Sequence, residues 1–124
     1  MIETAALILI LHSPMVTDGD TIVGNIESVP AVFGRKIPVR LAGIDTAEMH
    51  GKCVKEIALA QRAKKRVEEL IGNATEVELR NPSRDMYFRI DADVVLDGVS
   101  INQTLIKEGL AKPYFGGTKS SWCK

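Results

Sequence analysis

The chain has 124 residues, 45% hydrophobic and 26% charged. That excludes a disordered chain and allows a single domain burying roughly two-thirds of its unfolded surface. Lys plus Arg is 16 and Asp plus Glu is 16, so the formal charge is zero and any affinity for a polyanion must come from a local patch.

No apolar run approaches the ~20 residues of a membrane-spanning helix. Ala5–Leu11 (AALILIL) resembles a signal-peptide core, but no Lys or Arg precedes it and Glu3 is acidic. A first buried strand is therefore expected there, and the compartment stays open between export and cytoplasm. Leu7–Val16 reads as that strand, with Pro14 disturbing it. Thr21–Val29 alternates Ile22, Gly24 and Ile26 against polar neighbours, as a half-buried strand does. Pro30–Arg35 reads as a turn, and Lys36–Ile44 as a third strand with Ile37, Val39 and Leu41 on one face and Arg40 on the other.

The period then changes. Leu59, Ala60, Ala63, Val67, Leu70 and Ile71 fall on one side of a helix predicted over Lys55–Ile71, and Gly72 is its stop. Ala74–Arg80 is a strand and Asn81-Pro82-Ser83 a turn. Tyr87–Leu96 is the longest strand, with Phe88, Ile90, Ala92, Val94 and Leu96 facing inward. Ser100 and Gln103 have the spacing of a capping box, opening a short helix that Gly109 ends. The order β-β-β-α-β-β-α predicts a five-stranded Greek-key OB-fold barrel, one domain over 1–124.

Two cysteines, Cys53 and Cys123, exclude a disulfide-dense scaffold and a four-cysteine zinc site. With His12 and His50 a Cys₂His₂ site is arithmetically possible, but the spacings fit no finger pattern. One disulfide closing a loop of about 70 residues remains open beside two free thiols; it would be worth on the order of 4 kcal/mol.

Asp20, Asp45 and Glu48 stand at strand ends or in adjoining loops. If they converge they form an all-oxygen site, which favours Ca²⁺ or Mg²⁺ over zinc. An EF-hand is excluded, because the twelfth position counted from Asp18 is Val29. Arg40 and Arg89 add guanidinium forks that match a phosphate in two-point geometry. Carboxylates, a divalent cation and two arginines are the apparatus for attack of water on a phosphodiester. From Lys52 to Arg66 six basic residues stand against Glu56, which suits a polyanion or simply a solvated helix face.

Four blocks carry a specific resemblance: Asp18-Gly19-Asp20-Thr21, Val39 through Glu48, Asp85 through Asp93, and Ile101 through Ala111. In this order and spacing they resemble the staphylococcal nuclease-like (thermonuclease) family. The resemblance implies a calcium-dependent nuclease on an OB-fold, cleaving DNA and RNA without sequence preference to 3′-phosphate ends. It implies Asp20, Asp45 and the Thr46 carbonyl as Ca²⁺ ligands, Glu48 as the residue holding the attacking water, Arg40 and Arg89 as phosphate clamps, and Tyr87 beside the nucleotide pocket. Asp18 would lie near the metal without being a principal ligand.

The chain departs from the family at Ala47, where Pro is usual, and at Phe88, where Gly is usual. Phe88 either continues the inward alternation or fills part of the substrate groove. The segment from Lys112 to Gly117, ending near Trp122-Cys123, resembles a bacterial branch of the family. The alternative function is a catalytically weak or inactive nucleic-acid-binding barrel, which generally lacks acidic ligands or clamps; all five are present here. A carbohydrate- or protein-binding barrel is disfavoured by an aromatic content of 5%. No membrane partner is expected, and a monomer is the default.

Overall fold

The computed structural model describes residues 7–84 and 89–124. Five main strand runs form the sheet: a bent first strand made of β1 (Ile8–Ile10) and β2 (His12–Asp18), then β3 (Thr21–Asn25), β4 (Ile37–Leu41), β6 (Val77–Arg84) and β7 (Ile90–Leu96). A one-turn helix α1 (Ala31–Gly34) joins β3 to β4. The short strand β5 (Ile44–Thr46) precedes the long helix α2 (Val54–Gly72), and β8 (Val99–Ser100), α3 (Ile101–Lys107) and β9 (Ala111–Pro113) follow β7. No described helix is long and apolar enough to cross a membrane.

The sheet runs β1-β6-β7-β4-β3-β2, so the two halves of the bent first strand stand at its opposite edges and close it into a barrel. All these pairings are antiparallel except β4 with β7, which are parallel in the register Val39–Ile90, Arg40–Asp91 and Leu41–Ala92. This is the OB-fold architecture expected from the element order.

The predicted inward alternation holds at Val39, Leu41, Ala92, Val94 and Leu96, while Ile90 is half-buried and Val95, on the other face, is buried as well. Ile22, Val39, Leu41, Leu79, Ala92 and Val94 are fully buried in the barrel. Ala63 and Val67 of α2 and Ile101 and Leu105 of α3 join the same core. Each such Leu or Ile contributes ~1.5–3 kcal/mol through removal of its side chain from water. The predicted Ser100 cap of α3 is present, with Ser100 Oγ accepting from Gln103 N–H at 3.3 Å. Buried Asn102 fastens α3 to the parallel seam: it donates to Ala42 O at 2.8 Å and accepts from Val94 N–H at 3.1 Å.

Several expectations need correction. The first strand is broken at Leu11, and Ser13 has φ 52° where the register shifts between His12 and Met15. The stretch Pro30–Arg35 contains one helical turn. Asn81-Pro82-Ser83 does not reverse the chain; it lies inside β6 as a bulge, with Asn81 at φ 51° and the register shifting between Arg80 and Ser83. Asn tolerates the left-handed region, and Pro has no N–H for the ladder, so both suit a bulge as well as a turn. The third strand stops at Leu41, since Gly43 at φ 75° turns the chain, and Ile44–Thr46 pairs separately with β9. Tyr87 and Phe88 lie outside the described residues.

The two cysteines form a disulfide across 70 residues. It ties the C-terminal segment to the start of α2, where Trp122 forms a small second core with Ala47 and Ala60. Ala47, the departure from the family's usual Pro, is buried beneath this ring.

Candidate functional site

The site forms where the β2–β3 turn, the segment after β5, and the paired strands β4 and β7 meet. Gly19 lets the turn approach: a Cβ there would lie 2.7 Å from Ala63 Cβ and 3.3 Å from Thr46 Oγ1. Gly19 therefore sets Asp18 and Asp20 against Thr46. The turn is held by Leu41 N–H donating to Asp20 O at 2.8 Å and Thr21 Oγ1 donating to Asp20 Oδ1 at 3.0 Å.

A cavity of about 300 Å³ is lined by Asp18, Asp20, Thr21, Arg40, Thr46, Ala47, Glu48, Met49, His50, Arg89 and Lys119. It brings together five of the sequence-predicted residues: Asp20, Arg40, Thr46, Glu48 and Arg89. Asp45 opens instead into a neighbouring cavity of about 310 Å³, which shares Thr46, Glu48, His50 and Lys119 with the first.

Arg40 sits across the β4–β5 turn. Its guanidinium donates to Leu41 O at 3.2 Å and Ile44 O at 3.0 Å, and lies 3.9 Å from Asp20 Oδ2. Two of five N–H donors are thus used on carbonyls, which fixes the fork and leaves the others for an anion. Arg89 immediately precedes β7. Arg40 follows Val39 and Arg89 precedes Ile90, the paired residues of the parallel seam, so strand alternation puts both side chains on the face opposite the seam's core residues.

Asp18 is pushed up to about 6, first by burial and then by hydrogen bonding with Asp20 and the repulsion of its charge. Two crowded carboxylates that cannot both ionise freely form a site whose repulsion a cation relieves. The donors are carboxylate and carbonyl oxygens, and neither cysteine offers a thiolate, since both are in the disulfide. Oxygen donors of this kind suit a hard divalent cation, although among the described residues no three of the cavity's carboxylates bring an oxygen within 4.8 Å of one another.

Three residues of the site carried little signal in the sequence. Glu56 is buried at the start of α2, where its carboxylate accepts from Lys52 N–H at 2.9 Å and Glu48 N–H at 3.3 Å. It thereby positions the loop that bears Glu48. The detectable trace is the Cys53–Glu56 spacing, an N-cap contact with sulfur as the acceptor: Cys53 Sγ accepts from Glu56 N–H at 3.3 Å. Trp122 and Lys119 both reach Asp45, through Trp122 Nε1–H to Oδ2 at 3.0 Å and Lys119 Nζ to Oδ1 at 3.2 Å. Nothing local marks residues that fold back over such a separation.

The basic stretch is partly committed within the fold. Arg66 grips Glu108 with two hydrogen bonds of 2.8 and 2.9 Å, and Lys55 donates to Lys124 O at 2.8 Å. Lys52, Arg62 and Lys65 remain on the surface.

An OB-fold barrel with carboxylates and guanidinium groups around one cavity is a scaffold for holding a cation and an anion side by side. The chain belongs to the staphylococcal nuclease homologue family, whose model matches residues 38–121. It is 37% identical over 101 residues to Endonuclease YncB of Bacillus subtilis (strain 168), covering 77% of this chain and 43% of that protein. It is 36% identical over 104 residues to the SPbeta prophage-derived endonuclease YokF of the same organism, covering 77% of this chain and 31% of that protein. The chain therefore spans less than half the length of these curated relatives.

Proposed function

We propose that the chain is a metal-dependent phosphodiester hydrolase acting on DNA and RNA, with Ca²⁺ as its cation. The observation that carries this reading is the convergence of Asp18, Asp20, Glu48, Arg40 and Arg89 on one cavity. Asp20, Asp45 and the Thr46 carbonyl hold the ion, which when bound supplies positive charge beside the scissile phosphate. Glu48, with its side chain 65% exposed, orients or deprotonates the attacking water. Arg40 and Arg89 donate N–H to the phosphoryl oxygens as negative charge grows on them. Tyr87 corresponds in sequence to the tyrosine beside the family's nucleotide pocket. Products end in 3′-phosphate, as in the family. Recognition through phosphates makes binding independent of sequence and steeply salt-dependent.

The endonuclease names of the two relatives support a nucleic-acid substrate. The test is degradation of plasmid, single-stranded DNA and RNA with Ca²⁺, with Mg²⁺ and with chelator, for the wild type and Asp20→Asn. Cleavage with Ca²⁺ that is lost with chelator and in the variant is expected. Retained binding of nucleic acid with no cleavage under any ion would favour the binding-module alternative.

A further inference from the structure

The segment after β9 is anchored at several points yet takes no part in the barrel. Tyr114 N–H donates to Gly43 O at 2.9 Å, and Tyr114 Oη–H donates to Gly117 O at 2.6 Å. Lys112 Nζ donates to Ser120 Oγ at 3.1 Å and Ser121 O at 3.0 Å, and stands 4.1 Å from the centroid of the Trp122 ring. The disulfide to Cys53 holds the end. This anchoring presents two donors to one carboxylate. Asp45 is buried, with Oδ2 taken by the Trp122 indole and Oδ1 by the Lys119 ammonium.

The two donors differ in kind. Trp122 is buried, neutral and packed on Ala47 and Ala60, so its hydrogen bond fixes the plane of the carboxylate. Lys119 has a side chain 42% exposed on a flexible four-carbon stem. Its ammonium also lies 3.9 Å from Glu48 Oε1, so one positive charge sits between two carboxylates. It has another resting place close by, since Nζ is already 5.3 Å from the centroid of the Tyr114 ring.

We propose that this segment sets the affinity of Asp45 for a divalent cation: Trp122 is a positioning residue that fixes the carboxylate, and Lys119 is a built-in competitor that the ion displaces. The proposal rests on the reading of Asp45 as a metal ligand. A divalent ion held by Asp20 and Asp45 brings two positive charges to the site where the ammonium brings one. Binding therefore swings Lys119 out while the main chain and the indole stay in place.

The experiment is calorimetric titration of the protein with Ca²⁺, for the wild type, Lys119→Met, Trp122→Phe and Asp20→Asn, with emission of the single tryptophan followed in parallel. Lys119→Met is expected to tighten Ca²⁺ binding by roughly three- to tenfold, the scale of losing one partly exposed ion pair. Trp122→Phe keeps the ring but removes the donor, and is expected to weaken binding by roughly tenfold or more. Wild-type emission should change on saturation as the neighbouring ammonium leaves. Opposite shifts in two residues touching the same carboxylate are not produced by a merely structural role. Unchanged or weaker binding by Lys119→Met overturns the competitor role. Unchanged binding by Trp122→Phe overturns the positioning role; should that variant fail to fold, Lys119→Met, at an exposed site, still decides the proposal. If the wild type binds, Asp20→Asn does not, and both other variants match the wild type, only this proposal fails. If the wild type does not bind Ca²⁺, the metal reading and this proposal fall together.

Discussion

Replacing both cysteines by serine isolates the cross-link from the helix cap. Cys53 Sγ accepts from Glu56 N–H, and a serine hydroxyl at the same position keeps an acceptor there. What is lost is the closure of a 70-residue loop. In the chain-entropy model that loop is worth about 4 kcal/mol at room temperature. A chain of this length has an unfolding entropy of roughly 0.26 kcal/mol/K, so the loss corresponds to a fall in Tm of about 15 °C. Thermal and denaturant unfolding followed by circular dichroism measure it, with non-reducing mass spectrometry confirming the bond in the parent. A parent that shows the bond but a double variant that melts within about 3 °C of it would refute the reasoning.

Arg89→Ala should lower kcat at least ~10²-fold, the scale for one lost transition-state donor; an unchanged cleavage rate would remove Arg89 from the clamp. Gly19→Ala drives a methyl to 2.7 Å from Ala63 Cβ and should destabilise the fold by ~1–3 kcal/mol, read by denaturant unfolding. Asp18 retains its proton up to about pH 6, so Ca²⁺ binding below that pH should release a proton and weaken as the pH falls. Equal binding heats in two buffers of different ionisation enthalpy at weakly acidic pH would contradict it. The metal-free protein responds with the opposite sign: burial and the neighbouring Asp20 raise the Asp18 pKa above its ordinary value, so Asp18 adds stability at low pH, lost as pH rises through about 6.

The elements legible in the sequence were those whose pattern is local. Leu59, Ala60, Ala63 and Val67 repeat at helical spacing, and α2 forms within one residue of the predicted limits at each end. Ile90, Ala92, Val94 and Leu96 alternate, and β7 keeps that alternation through Val94 before Val95 is buried as well. What escaped depends on distant partners. β5 is three residues long and exists as a strand because β9 pairs with it, a contact spanning more than sixty positions. The bulge at Asn81-Pro82 uses the same residues as a turn, and only the partner strand distinguishes them. In the site, Asp20, Arg40, Thr46, Glu48 and Arg89 come together as the motifs suggested. The burial of Asp45 under Trp122 and Lys119 depends on where a disulfide anchors the chain, which no spacing encodes.

Arg40 lies in β4 and Arg89 directly before β7, two neighbouring strands whose separation, ~4.8 Å, is set by main-chain hydrogen bonds. The gauge between their roots therefore belongs to the backbone, and exchange of core residues beneath it leaves it nearly unaltered. Asp45 has no such protection, because its setting depends on a three-residue pairing and on side chains delivered by the C-terminal segment. Over evolutionary time the two halves of the site should drift at different rates. On the proposed reading, preference among cations can be retuned by a few changes after β9, while a grip on phosphate would be inherited with the barrel itself.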